Sequence, residues 1–205
     1  MRGVSFVCLL MLLAVPALQG AQNKSQPKRA SPASTIPSNW GTYVDRINGF
    51  SIRFPPGSVI GVSKGDGGGV DVDIVPLPGT AGWGGLGVHV HMIPNPQGLT
   101  AEEVYQADLA EIDKQQEKEP DRGYPGSSNT FSQRKVSIGG QPGHEREYLF
   151  ANGYREHEVT LAWDKLAYQI GYTVSSMDMT DKQRAENPQR IKLLEMMIST
   201  IRQVK

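Results

Sequence analysis

The sequence predicts an α+β fold: an antiparallel β-sheet with a C-terminal four-strand meander, packed by helices. Three observations carry that prediction. Short runs in which apolar and polar residues strictly alternate recur along the chain, which is the period of a half-buried strand. In the C-terminal half, a stretch of about 45 residues holds four strand patterns joined by Gly139-Gly140, Asn152-Gly153 and Asp164-Lys165, and such two-residue signals mark tight hairpins because Gly and Asn tolerate positive φ. Two longer segments combine helix-capping residues with a single apolar stripe. The order reads β-β-β-β-α-β-β-β-β-α.

Residues 1–21 have the plan of an export signal. Arg2 supplies a positive n-region, Val7 to Val15 form an uncharged apolar run, and Ala17, Gly20 and Ala21 are small enough for a signal peptidase. The run is about half of the ~20 residues that a membrane span needs, so it reads as a cleaved signal and not an anchor. The only cysteine, Cys8, leaves with it. The mature chain then has no disulfide, thiol nucleophile or cysteine metal site. Residues 22–40 contain three prolines and four serines and read as a flexible tether.

The domain proper is 41–205, long enough for one hydrophobic core. The full chain balances 21 basic against 21 acidic residues, but Arg2, Lys24, Lys28 and Arg29 precede Gly41, which leaves 17 against 21 and a net charge of −4. That balance disfavours a nucleic-acid binder, which needs a basic face. No second apolar stretch is long enough to span a membrane. The expected location is outside the cytoplasm, periplasmic or secreted.

Within the domain, Phe50, Ile52 and Phe54 alternate with Ser51 and Arg53 in a strand closed by Pro55-Pro56-Gly57. Val70, Val72 and Ile74 alternate with Asp71 and Asp73, and Val88, Val90 and Met92 with His89 and His91. These two strands flank a Gly-rich loop, residues 76–87. A helix runs from Thr100 to about Lys118, announced by Thr100 and Glu103 as a capping box, with Val104, Tyr105, Leu109 and Ile112 as its stripe. The last helix is expected to start at Asn187 as cap with Pro188 in the first helical position, and its stripe is Ile191, Leu194, Met197, Ile198 and Ile201.

The opening stretch TYVDRINGFSIRFPPGSV, with a Gly-Phe strand ending in proline, resembles the start of the PsbP-like family. The later stretch VSIGGQPGHEREYLFANGYREHEVTLAWDKLAYQIGYTV, with the terminal helix, is similar to that family's second half. The family includes the extrinsic photosystem II proteins and exported bacterial relatives, DcrB-like ones among them. The resemblance implies an α/β/α sandwich and a non-enzymatic binding or assembly role. In photosynthetic members that role assists ion retention at a manganese cluster.

Two-residue hairpins throughout would set Tyr148, His157 and Tyr172 side by side on the core face, with Phe131 at the end of the row and a tyrosine hydroxyl satisfying His157. The opposite face would carry Glu145, Glu147, Glu156 and Glu158, with Arg134 opposite Glu145 and Glu147 opposite Glu158. Carboxylates paired at ~5 Å across strands can share a proton or hold a divalent cation. The alternative is a solvated sheet face, its long side chains splayed into water. Asp71, Asp73, His89 and His91 form a second constellation. If their strands pair antiparallel, two imidazoles and two carboxylates project from the non-core face as ligands for zinc or a similar ion. Polar residues alternating with valines also mark any outward strand face.

Gly82-Trp83-Gly84-Gly85-Leu86-Gly87 matches G-x-G-x-x-G, but it leads into a strand and not into the helix N-terminus that receives a pyrophosphate. Trp83 is instead a candidate contact residue for a partner. No nucleophile elbow, H-E-x-x-H or calcium-loop pattern occurs. The expectation is therefore an exported, non-catalytic binding or assembly domain without a cofactor, with a protein of the envelope as partner. The alternative is a small metal-dependent enzyme or hydrolase using the Asp71/Asp73/His89/His91 cluster.

Overall fold

The computed structural model describes residues 36–64, 69–76, 87–119, 126, 129–150, 153–175 and 180–205. In chain order these form β1 (Gly41–Asp45), β2 (Phe50–Phe54), β3 (Val59–Lys64), β4 (Val70–Val75), β5 (Val88–Pro94), α1 (Ala101–Lys118), β6 (Thr130–Ile138), β7 (Gln141–Leu149), β8 (Arg155–Trp163), β9 (Leu166–Ser175), α2 (Asp181–Ser199) and β10 (Arg202–Gln203). One antiparallel sheet runs β3-β4-β5-β9-β8-β7-β6, and a small one runs β1-β2-β10. The α+β class and the meander are as predicted. The predicted order counts four strands before the first helix, three of them placed, where the structure has five. β1 and β3 were not located and β10 was not expected, because each is too short or too irregular in its alternation to stand out.

The core lies on one face of the large sheet. Val72, Ile74, Val88, Val90, Val159, Leu161 and Ile170 meet Phe50 and Ile52 of the small sheet, Leu194, Met197 and Ile198 of α2, and Ile201 just past that helix. Of the predicted stripe of the last helix, Leu194, Met197 and Ile198 form its buried face and Ile191 is half-buried. Ile201 is buried but lies past the helix end at Ser199. Trp40 belongs to this core and Ile36 packs against it, so the end of the stretch read as tether lies on the folded unit. The sequence placed the start of α2 too late. The helix begins at Asp181, the Arg184 N–H bonds the Thr180 carbonyl at 2.9 Å, and Pro188 sits inside the helix. A first turn with Asp181 at the positive end of the dipole wins over the boundary signal of a proline. Asn187 does not cap; its amide donates to the Val174 carbonyl and ties α2 to β9.

α1 begins as predicted. Thr100 Oγ1 accepts from the Glu103 N–H at 3.3 Å, and Glu103 Oε2 accepts from the Thr100 N–H at 2.8 Å, which closes the capping box. This helix covers the other face of the large sheet, over β7 and β8. Both faces of the sheet are therefore covered there, and the expected solvated face does not exist at β8, where Glu156 to Leu161 are all buried.

Candidate functional site

The hairpin loop between β7 and β8 decides which residues lie under α1. Phe150 pairs with Tyr154, the Phe150 N–H bonding the Tyr154 carbonyl at 2.8 Å and the Gly153 N–H bonding the Phe150 carbonyl at 2.9 Å. The loop is therefore three residues long, with Gly153 at φ 81°, and not the two-residue turn expected from Asn152-Gly153. One extra residue shifts the register by one and sends every side chain of one strand to the other face relative to its neighbour. Arg146, not Glu147, lies opposite Glu158; Glu147 lies opposite His157, and Tyr148 opposite Glu156.

Three expectations are corrected by this shift. Tyr148 is not on the core face with His157 and Tyr172; it faces α1. Glu145, Glu147, Glu156 and Glu158 do not share a face, since the first two lie on the α2 side and the last two on the α1 side. The close carboxylate pair Glu147–Glu158 is replaced by a salt bridge. Phe131 also leaves the predicted core row, because a bulge between Thr130 and Ser132 turns it outward, 59% exposed, with the Arg155 guanidinium 5.3 Å from its ring.

Arg146 and Glu158 form the centre of a charged layer between α1 and the sheet. Arg146 Nε is 3.1 Å from Glu158 Oε1, and the two residues are 2% and 7% exposed. Arg146 Nη2 reaches Asp108 Oδ2 of α1 at 3.5 Å, and the Tyr148 hydroxyl donates to Glu158 Oε2 at 3.4 Å. The guanidinium sits 4.4 Å from the Tyr148 ring centre and 5.6 Å from that of Tyr105. Tyr105 stacks on His144 at 3.9 Å and donates to Gln133 Oε1 at 2.9 Å, while His144 Nδ1 meets Glu102 Oε2 of α1 at 2.9 Å. Burial works against the Arg146 charge, but Glu158, Tyr148 and Asp108 outweigh it and hold its pKa above the usual value. Burial, reinforced by Glu158, pushes the Asp108 carboxyl up, and burial likewise raises the Tyr105 and Tyr148 hydroxyls. Chemically this layer fastens a helix, since its charged groups face one another.

The remaining glutamates are also engaged. Glu145 bonds Arg134 at 2.6 Å and lies 3.4 Å from His157 Nε2, and these contacts overcome burial to lower its pKa. His157 stacks on Tyr172 at 4.7 Å, so its polar partner is a carboxylate and not the predicted tyrosine hydroxyl. Glu147 pairs with Arg155. Glu156 accepts from the Thr173 hydroxyl at 2.7 Å, and burial raises its pKa.

β4 and β5 pair antiparallel with Asp71 opposite His91 and Asp73 opposite His89, which puts all four on the α1 side of the sheet. There they part. Asp71 and His91 touch. His89 lays its ring over Gly171, where an added Cβ would come within 2.6 Å of it, and burial lowers its pKa against the pull of Glu158 and Asp73. Asp73 is exposed. Among the described residues, no three His, Asp, Glu or Cys side chains are grouped to hold a metal ion. Trp83 and most of the Gly-rich loop lie outside the described residues.

Two surface features escaped the sequence reading. A cleft of about 370 Å³ between α1 and β6 is lined by Tyr105, Leu109, Phe131 and Gln133. A larger groove, about 570 Å³, runs between the β1–β2 turn and β3, lined by Tyr43, Val44, Asp45, Ile47, Val62 and Val70. Val44, Ile47, Val59 and Val62 are 44%, 94%, 52% and 58% exposed. The apolar content of VIGVSK was their one available signal.

No helix among the described residues is long and apolar enough to cross a membrane. No protein-family model matches the sequence, and no curated protein matches it. Among solved structures, the chain is similar to the solution structure of cyanobacterial PsbP (CyanoP) from Synechocystis sp. PCC 6803, with a TM-score of 0.54 and 14% identity over 83% of this chain and 95% of that one. A crystal structure from Bacteroides thetaiotaomicron is matched at a TM-score of 0.45 and 13% identity, over 82% of this chain and 49% of that one. The antiparallel sheet sandwiched between α1 on one face and α2 with the small sheet on the other is the PsbP-like fold.

Proposed function

We propose that this chain is an exported, non-catalytic domain that works by binding a protein partner. One observation carries the reading. The side chains with acid–base capacity near α1 face one another in the fold, whereas exposed apolar side chains gather around one groove, at Val44, Ile47 and Val62. Contiguous exposed apolar surface rimmed by polar residues is the usual mark of an interaction site. The PsbP-like fold and the signal-like residues 1–21 agree with an exported binding role. The test is photo-crosslinking from exposed positions spread over the whole surface of the exported protein, with N-terminal sequencing of the recovered chain. Discrete protein adducts and a start near residue 22 are expected. An absence of adducts from every position would sink the reading.

A second reading, an ion-dependent enzyme using Asp71, Asp73, His89 and His91, draws on the register that sets these residues opposite one another. A divalent cation at hundredfold excess over its Kd would add ~2.7 kcal/mol, several degrees in Tm. Such a shift with zinc or manganese, lost in His89→Ala, would favour that reading over the first.

A further inference from the structure

We propose that β3 and the groove beside it capture an extended segment of a partner polypeptide, which adds a strand to the large sheet. The inference rests on the binding role proposed above and names its mode and the chemistry of the partner. Among the described residues, β3 pairs only with β4, so its outer edge presents unpaired N–H and C=O groups. The two edges of the large sheet differ in how they treat that hazard. β6 carries Arg134 and Lys135 and a bulge between Thr130 and Ser132, devices that deter edge-to-edge pairing. β3, Val-Ile-Gly-Val-Ser-Lys, has no proline, no charge before Lys64 and an unbroken register with β4. Nothing lies within 4 Å of where a Gly61 side chain would begin, so that face of the edge strand is uncovered.

The groove supplies the second half of a strand-addition site. Side chains alternate along an added strand, so every second one would fall on the side of Val62 and Val70, against Val44 and Ile47. The side chains of Val44, Ile47, Val62 and Val70 are apolar, and so are those they accept. The exposed charge at the rim is positive, from Arg46 and Lys64; Asp45 keeps its negative charge but is buried, with both carboxylate oxygens accepting from the Asn48 backbone N–H and side-chain amide at 2.8 Å. The occupant that fits is an extended peptide with apolar residues at alternate positions and acidic residues flanking them. A second copy of this chain fits less well, because it would bring a like Lys64 to the same positive rim.

The test pans a random dodecapeptide library against the folded wild-type protein, with Val62→Lys as counter-selection. Val62 is more than half exposed, so this change guards the edge with a charge while leaving the core intact. The expected result is enrichment of alternating apolar peptides with acidic flanks. Their binding should weaken at least about tenfold on Val62→Lys, a loss of about 1.4 kcal/mol. They should also perturb the backbone amide signals of residues 59–64, and peptides N-methylated at alternate positions should fail to bind. No enrichment over Val62→Lys, or perturbation confined to another face, overturns the proposal. A concentration-dependent dimer abolished by Val62→Lys overturns it as well and gives the groove to a second copy. Crosslinks found only on another face would remove this inference and leave the binding role standing, whereas no crosslinks anywhere would remove both.

Discussion

Arg146 shows how much depends on single side chains in this fold. Its guanidinium is shut between Tyr105, Tyr148, Glu158 and Asp108. Breaking a buried pair by removing one member leaves an uncompensated charge, which costs more than the pair contributes. Glu158→Ala is therefore expected to lower stability by about 3–5 kcal/mol, towards the smaller value because Asp108 still neutralises part of the charge. The double variant Arg146→Met with Glu158→Leu should recover most of that loss. Urea denaturation of the three proteins decides the matter, and equal losses in single and double variants would contradict it. Glu156 makes the opposite prediction. Burial raises its pKa, so the folded chain keeps the proton to higher pH than the unfolded chain, whose value is 4.5. Ionising it therefore costs stability, nothing below that value and increasingly as pH rises through the raised folded one. Glu156→Gln, neutral throughout, should match the wild type below about pH 4 and gain on it towards pH 7. A stability difference that stays constant across a pH series would refute this.

At the scale of elements, the hairpin at Gly153 fixes which charges meet. The three-residue loop needs a left-handed residue, and Gly153 provides it at φ 81°. Gly153→Ala should cost about 1 kcal/mol through that backbone strain. Deleting one residue of the loop should do far more, because a one-residue slip moves Arg146 off the face of Asp108 and Glu158. Circular dichroism melts of the two variants would separate the effects; a deletion variant as stable as Gly153→Ala would show that the register is not pinned there. The same loop marks the limit of what the sequence could tell. Alternation, capping box and Gly139-Gly140 made β6, β7 and α1 legible, since each signal is local. Asn152-Gly153 also suits the end of a three-residue turn with a bulge, so the dipeptide signals a hairpin without stating its length. Every face assignment across that hairpin inherits the ambiguity. Glu145 and Glu147 of β7 therefore read as part of a wet acidic face with Tyr148 on the core side, when the glutamates lie on the α2 side and Tyr148 faces α1. The β4–β5 pairing was recoverable because both strands alternate cleanly, but the turning of His89 over Gly171 depends on a glycine of β9, beyond α1 and three intervening strands of sequence.

In the whole molecule the two covers of the sheet are held by different forces. α2 buries Leu194, Met197 and Ile198 against a continuous apolar core that also takes in Phe50 and Ile52. α1 buries only Ala101, Val104 and Tyr105, all in its first two turns, and otherwise meets the sheet through Glu102, Asp108 and their partners His144 and Arg146. Apolar burial stabilises by roughly 25 cal/mol per Å², whereas charged contacts largely exchange hydration for pairing. Opening α1 consequently exposes groups that water solvates well, and opening α2 exposes the core. Local openings range from near zero to the global free energy, and elements with little apolar contact open first. Native-state hydrogen exchange should therefore show α1 amides, especially from Asp108 onward, exchanging through an opening well below the global unfolding free energy. Amides of β8 and β9 should exchange only on global unfolding, and α2 from Leu194 to Ile198 should follow them. Added salt should loosen α1 further and leave the α2 amides unchanged, because ionic screening weakens the pairs at its edge and not the apolar core. Equal protection of the two helices at both salt concentrations would mean that the charged layer holds α1 as firmly as the apolar core holds α2.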